Sequence, residues 1–148
     1  MGLFNSFNIS ASALTAQRLR MDVISQNIAN VNTTRTEDGT PYRRKMVVFQ
    51  EKEADIPFSQ YLSEESRRRY LTGGGVRVTA IVEDQTPFKE VYDPSHPDAD
   101  ENGIVRMPNV DIVTEMVNMI SATRAYEANI TALNASKSMA SKALEIGR

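Results

Sequence analysis

Residues whose types and spacing could support chemistry all lie in the middle of the chain. Asp98-x-Asp100-x-Asn102-Gly103 reproduces the first half of a calcium-binding EF-hand loop. Such a loop is closed by a bidentate glutamate at its twelfth position; here that position is Asn109, preceded by Pro108. Without the closing carboxylate, the spacing reads better as a tight turn built from Asp and Asn side chains. Gly73-Gly74-Gly75 would let a backbone approach a phosphate, but the Lys-Ser/Thr pair of a phosphate loop does not follow it. His96 is the single histidine of a chain with no cysteine, so it lacks a second imidazole or thiolate with which to share a metal. No nucleophile elbow, dinucleotide fingerprint or paired catalytic carboxylates are legible. The residues therefore predict a protein that is not an enzyme and needs no cofactor.

Charge and composition narrow the partners. The net charge of −2 gives no electrostatic reason to expect nucleic acid. The short basic clusters Arg43-Arg44-Lys45 and Arg67-Arg68-Arg69 are offset by neighbouring acids and read as solvated surface. No stretch reaches the roughly 20 consecutive apolar residues of a membrane span, and no basic segment leads into an apolar core as in a cleavable secretion signal. No direct membrane insertion is expected. Met1-Gly2-Leu3-Phe4-Asn5-Ser6 fits an N-myristoylation pattern, and sequons begin at Asn8, Asn32, Asn129 and Asn134. Patterns this short recur by chance and carry no reading.

What must position the middle of the chain is a pair of helices at its ends. Phe7, Leu14, Met21 and Ile28 recur every seventh residue, with Ile24 and Val31 three further on. Ile112, Met119, Tyr126, Leu133 and Ala140 repeat the pattern, with Met116, Ile130 and Leu144 four further on. Apolar residues at this period line one face of a helix and require a helical partner. The spacing predicts a helix from about Ser6 to Val31, capped by Ser6 or Asn5, and another from about Val110 to Ile146, capped by Asn109. The expected fold is mainly α with a small β-containing insert. Its core is an antiparallel coiled coil of residues 1–35 and 109–148, and residues 36–108 form an extended arm.

Within the arm, Arg43 to Gln50 and Val76 to Val82 read as strands, the second by its strict alternation, and Phe88 to Tyr92 as another. Asp93 to Asn109, rich in proline, is expected to be an ordered but irregular loop, and Phe58 to Leu71 to be either a short helix or mobile. Ordering one residue costs about 1–2 kcal/mol, while burying a large apolar side chain returns about 1.5–3 kcal/mol. Two helices alone are marginal on that comparison. A second apolar line, Val113, Val117, Ile120, Met139, Ala143 and Ile146, faces away from the first, as expected of a helix with neighbours on more than one side. The residues thus predict a monomer that completes its fold on packing against other copies or relatives, with an ordinary helical interaction module as the alternative.

These blocks carry a family resemblance. Ser10 to Leu19 (SASALTAQRL) followed by Met21 to Thr33 (MDVISQNIANVNT) resembles the N-terminal signature of the bacterial flagellar rod and hook axial family. Asn109-Val110-Asp111, Glu115-Met116-Val117 and Arg124-Ala125-Tyr126-Glu127-Ala128-Asn129 resemble its C-terminal counterpart. The loop Tyr92 to Val105, carrying His96, Pro97, Asp98, Asp100 and Gly103 and followed by Pro108-Asn109-Val110, is similar to the proximal rod branch; another rod or hook subunit is the alternative. The resemblance implies a structural subunit of a hollow drive shaft in the periplasm, exported unfolded by the flagellar type III apparatus without a cleaved signal. The implied partners are other copies, other rod proteins and the proteins at the junction of membrane ring and export gate. It also implies helix-pair and subunit contacts through Leu14, Met21, Ile24, Ile28, Val31, Ile112, Met116, Met119, Tyr126, Ile130, Leu133 and Leu144. Asn27, Asn30, Asn32, Arg124 and Asn129 are its signature polar residues.

Overall fold

A computed structural model describes residues 3–52 and 74–146. Its elements run α1 (Leu3–Ala29), β1 (Lys45–Glu51), β2 (Val76–Glu83), β3 (Lys89–Tyr92), β4 (Ile104–Met107) and α2 (Ile112–Ile146). At 35 residues, α2 is roughly 52 Å long. Mainly helical structure with short paired strands agrees with the sequence. Phe58 to Leu71 lies outside the described residues.

Three local expectations are corrected. α1 starts at Leu3, so Ser6 stands inside the helix and does not cap it. The cap of α2 is Asp111: its carboxylate accepts the Thr114 backbone N–H at 3.1 Å and the Thr114 hydroxyl. Those bonds, the hydroxyl's first, hold the Asp111 carboxyl below the usual carboxylate range. Asn109 is drawn elsewhere. The segment read as an irregular loop also contains a strand, because β4 pairs antiparallel with β3 in the register Lys89↔Met107, Glu90↔Arg106, Val91↔Val105 and Tyr92↔Ile104. Pro97 and Pro108 flank β4 without entering it, which is where proline is compatible with a ladder.

The chain divides into two compact units. Of the described residues, one holds 3–18, 49–52, 74–79 and 124–146. In it the Ser12 hydroxyl donates to the Ile9 carbonyl at 2.7 Å and accepts the Val76 backbone N–H at 3.1 Å, fastening the start of β2 to α1. β1 pairs with β2 in a two-stranded sheet, extended by Lys52 N–H to the Gly75 carbonyl and Gly74 N–H to the Lys52 carbonyl, each at 2.8 Å. Gly75 allows the approach: its φ is +105°, and a Cβ there would lie 2.3 Å from Ser12 Oγ.

The second unit holds residues 19–48 and 80–123. Its apolar core is Val23 and Ile24 of α1, Tyr42, Val105 of β4, Val110, and Ala122 of α2. The turn after α1 is tied off by Asn30, whose amide donates to the Gln26 carbonyl at 2.9 Å while its oxygen accepts the Thr33 hydroxyl at 3.2 Å. Side chains of this type end a helix by offering its last carbonyls another donor.

Gly75→Ala should destabilise the first unit by about 1–3 kcal/mol, from left-handed backbone and collision together. Ser12→Ala in the same chain should recover only part of this, since φ remains unfavourable; urea midpoints of the variants measure both.

Candidate functional site: a buried polar junction

The described residues assemble no cluster of metal-binding groups, and their most built polar site is a junction inside the second unit. It begins with Glu115, on the first turns of α2, whose side chain is 1% exposed. A carboxylate removed from water this far requires charge and hydrogen bonds in compensation. Arg44, just before β1, supplies both: its Nε donates to Glu115 Oε1 at 2.9 Å and its Nη2 to the same oxygen at 2.7 Å. Oε2 accepts the Asn27 amide of α1 at 2.9 Å. Nη1 of Arg44 reaches Asp84 Oδ2 at 3.3 Å, so one guanidinium spans two carboxylates.

Asn27 is the other half of the junction, and is 1% exposed. Its Nδ2 also donates to the Lys45 carbonyl at 2.8 Å, and its Oδ1 accepts the Lys45 N–H at 2.9 Å and the Tyr42 hydroxyl at 3.0 Å. The amide thus pairs with the backbone of β1 as a neighbouring strand would, and every donor and acceptor it carries is used. Burial, then the negative charges of Glu115 and Glu83, push the Tyr42 phenol above its usual range. Desolvation works against the charge of Arg44, but hydrogen bonds and attraction from Glu115 and Asp84 outweigh it and raise its pKa.

Asn109 completes the junction from the strand side. Its Oδ1 accepts the Arg44 N–H at 2.8 Å, and its Nδ2 donates to the Asp84 carbonyl at 3.0 Å, the Thr86 carbonyl at 3.2 Å and the Thr86 hydroxyl at 2.9 Å. The Asp84 carboxyl is held below its ordinary value, first by the Thr86 backbone N–H. Lys89 of β3 donates to the Val110 carbonyl at 2.9 Å, and Arg43 stacks over Phe88 with 4.4 Å to the ring centre. Nothing here resembles a nucleophile with its base. The arrangement sets the register of α1, β1, the β2–β3 turn and the entry to α2.

The residues expected to form the apolar seam divide. Ile24 is buried and Leu14, Met21, Ile28, Val31, Met119, Tyr126 and Leu133 are half-buried. Ile112, Met116 (54%), Ile130 and Leu144 (77%) are exposed. On α2 the burial follows the line three residues on, through Glu115, Ala122, Asn129 and Ser136, where small or polar side chains stand. Val113, Val117 and Ile120 are exposed on the opposite side of α2. Within the second unit the Thr123 hydroxyl points to Met21 Sδ at 3.6 Å.

Among the signature polar residues, Asn129 donates to the Ala125 carbonyl of its own helix at 2.7 Å, and Asn32 and Arg124 are exposed. In the loop motif, Asp93 Oδ1 accepts the Ser95 N–H, His96 Nδ1 accepts the Asp98 N–H, and Asp98 accepts the Thr34 hydroxyl at 2.7 Å. Asp100 lies 3.9 Å from Arg106. Gly103 has φ +73°, beneath Tyr92 and Pro94.

Arg44, Tyr42, Asp84 and the depth of Glu115 escaped the sequence reading. By sequence Arg44 belongs to a short basic cluster that reads as surface, yet its side chain is only 22% exposed. A signal existed: Glu115 stands four residues before Met119 and seven before Ala122, on the buried line of an apolar helix, where an acid needs a cation.

A family model described as flagella basal body rod protein matches residues 7–35, and one described as flagellar basal body rod FlgEFG protein C-terminal matches residues 101–146. The flagellar basal-body rod protein FlgC of Bacillus subtilis is 52% identical over 152 residues, all of both chains. That of Borreliella burgdorferi is 52% identical over 153 residues, covering 99% of this chain and 98% of its own. That of Salmonella typhimurium is 47% identical over 148 residues, all of both. The chain belongs to the FlgC family of flagellar basal-body rod proteins. The matched segments include Asn27 on one side and Asn109 and Glu115 on the other, so both helical partners of the junction fall inside family-defining sequence.

Arg44→Ala should cost about 3–5 kcal/mol, because it strands the buried Glu115 charge, and Arg44→Ala with Glu115→Gln should cost less than the sum. A double-mutant cycle in urea checks the coupling. Tyr42→Phe should cost about 1 kcal/mol at neutral pH. Because the folded state raises the phenol's pKa, Tyr42 contributes stability that is fully present below its unfolded value of about 10 and is lost as pH rises through the folded one. The Phe variant should lack that alkaline loss in a stability–pH profile.

Proposed function

We propose that this chain is a structural subunit of the flagellar basal-body rod, in its proximal part, and that it acts by assembly without catalysis. The observation that carries the reading is identity of 52% along the whole chain with a protein named for that rod. In this reading residues 1–35 and 109–148 form the helical core as an antiparallel coiled coil, and residues 36–108 form the outward arm. Leu14, Met21, Ile24, Ile28, Val31, Met119, Tyr126 and Leu133 line the pair. The exposed Ile112, Met116, Ile130 and Leu144, with Val113, Val117 and Ile120, meet neighbouring copies and other rod proteins. A contact between unlike surfaces repeats head to tail and winds into a tube.

Torque then passes through many interlocked helices, with the Glu115–Arg44–Asn27 junction holding each arm in register to its helices. The chain reaches the periplasm through the flagellar type III export apparatus without a cleaved signal, and its first layer meets the proteins at the membrane ring and export gate. An ordinary helical module remaining in the cytoplasm is the competing reading, and export separates the two. Deleting residues up to Asn30 should abolish secretion into the flagellar path under the rod reading alone.

Leu133→Asp places a charge in the half-buried seam. Export should continue while rod assembly and swimming are lost, read by secreted protein in the medium, electron microscopy of basal bodies and spreading in soft agar. Normal swimming by that variant would overturn the proposed seam.

A further inference from the structure

Every Asn of the chain but one is followed by a residue whose side chain crowds the next backbone nitrogen; the exception is Asn102, followed by Gly103. The pair ends the loop between β3 and β4, directly before β4, where Asn102 is exposed and Gly103 is buried. We infer that Asn102 is a site of spontaneous covalent modification which the folded hairpin holds off and the unfolded chain does not.

The reaction requires only water. The Gly103 backbone nitrogen attacks Asn102 Cγ, a new C–N bond closes a five-membered succinimide, and the bond from Cγ to the side-chain nitrogen breaks. Ammonia leaves, carrying the proton the backbone amide gives up. Water then opens the ring at one carbonyl or the other, leaving aspartate or isoaspartate. The sum is asparagine plus water to either product plus ammonia, with no change of oxidation state. Glycine favours the attack because no Cβ blocks the approach and its backbone reaches conformations other residues avoid.

The fold opposes each need of that reaction. The Gly103 N–H, whose nitrogen must be free to attack, donates to the Asp100 carbonyl at 2.8 Å. The turn is closed a second time by Asp100 N–H to the Ile104 carbonyl at 2.9 Å, and Gly103 accepts the Asp93 N–H at 2.9 Å. Gly103 is held at φ +73°, the left-handed conformation common beside such a hairpin turn, so the backbone cannot swing toward Cγ unless the turn opens. There is also little space for movement: a Cβ at Gly103 would lie 3.0 Å from Tyr92 Cε2 and 3.1 Å from Pro94 Cβ. Isoaspartate, which adds a methylene to the main chain, would spoil the register that places Tyr92 opposite Ile104. Modification in the unfolded chain therefore marks molecules that can no longer close this hairpin properly.

The test uses the purified full-length chain at mildly alkaline pH and 37 °C, in native buffer and in concentrated urea. Loss of Asn102 is followed by peptide mass mapping with isoaspartate detection, and protection of the Gly103 amide by hydrogen exchange. The expected result is a protected Gly103 amide in buffer and modification there at least about tenfold slower than in urea, with Asn102 the first asparagine lost in urea. Equal rates in both solvents, an unprotected Gly103 amide in buffer, or earlier loss at another asparagine in urea would each overturn the inference. Asn102→Ser in urea should abolish the early mass change, and its persistence would overturn the assignment as well.

Discussion

A carboxylate placed out of water constrains everything within its reach. Glu115 is 1% exposed, and its charge is tolerable only while Arg44 and Asn27 stay within hydrogen-bonding distance. Arg44 is in turn held by Asn109 through its backbone N–H and by Asp84 through its guanidinium, and Asn27 by the backbone of Lys45 and the hydroxyl of Tyr42. Four stretches of chain distant in sequence thus share one set of donors and acceptors. Apolar packing at Val23, Ile24, Val105, Val110 and Ala122 supplies the driving force of this unit, but it would tolerate small slips. The polar set does not, because any slip leaves a buried donor or acceptor unmade.

Such an arrangement fixes register between segments, each group being held by another group of the same fold. A catalytic site holds groups whose protonation or bonding changes during a cycle; here Asn27 uses all its hydrogen-bonding capacity within the fold. Apart from the buried Gln17 Oε1, what the described residues leave without a partner is apolar. α2 exposes Val113, Met116, Val117 and Ile120 on its first turns, while no large apolar side chain described in α1 is exposed. A helix apolar on more than one side is stable in company, and association is where those side chains find cover.

The registers of the two helices show how far pattern reasoning reaches. The seven-residue repeat located α1 and α2 to within a few residues, since a 3.6-residue period survives any detail of packing. It did not tell which neighbour of the repeat would be buried. Large residues four further on, Met116, Ile130 and Leu144, read as the obvious second line. The less exposed positions instead include Ala122, Asn129 and Ser136, whose side chains are small or polar. β4 was hidden for a related reason: proline and glycine around it signalled a loop, and its four residues are too short to display alternation.

Local chemistry was therefore written along the chain: two amphipathic helices, strands at β1 to β3, a turn at Gly103, and long signature segments that tie it to rod proteins. These depend on neighbours a few residues apart, and such distances are the same in every conformation the helix or turn allows. The choice of Arg44 as the partner of Glu115, 71 positions away, and of Asn109 as a strand clamp where a helix cap was expected, belonged to tertiary structure alone. A side chain's hydrogen-bonding capacity is fixed by its type, but which partner satisfies it is decided only when distant segments are brought within about 3 Å.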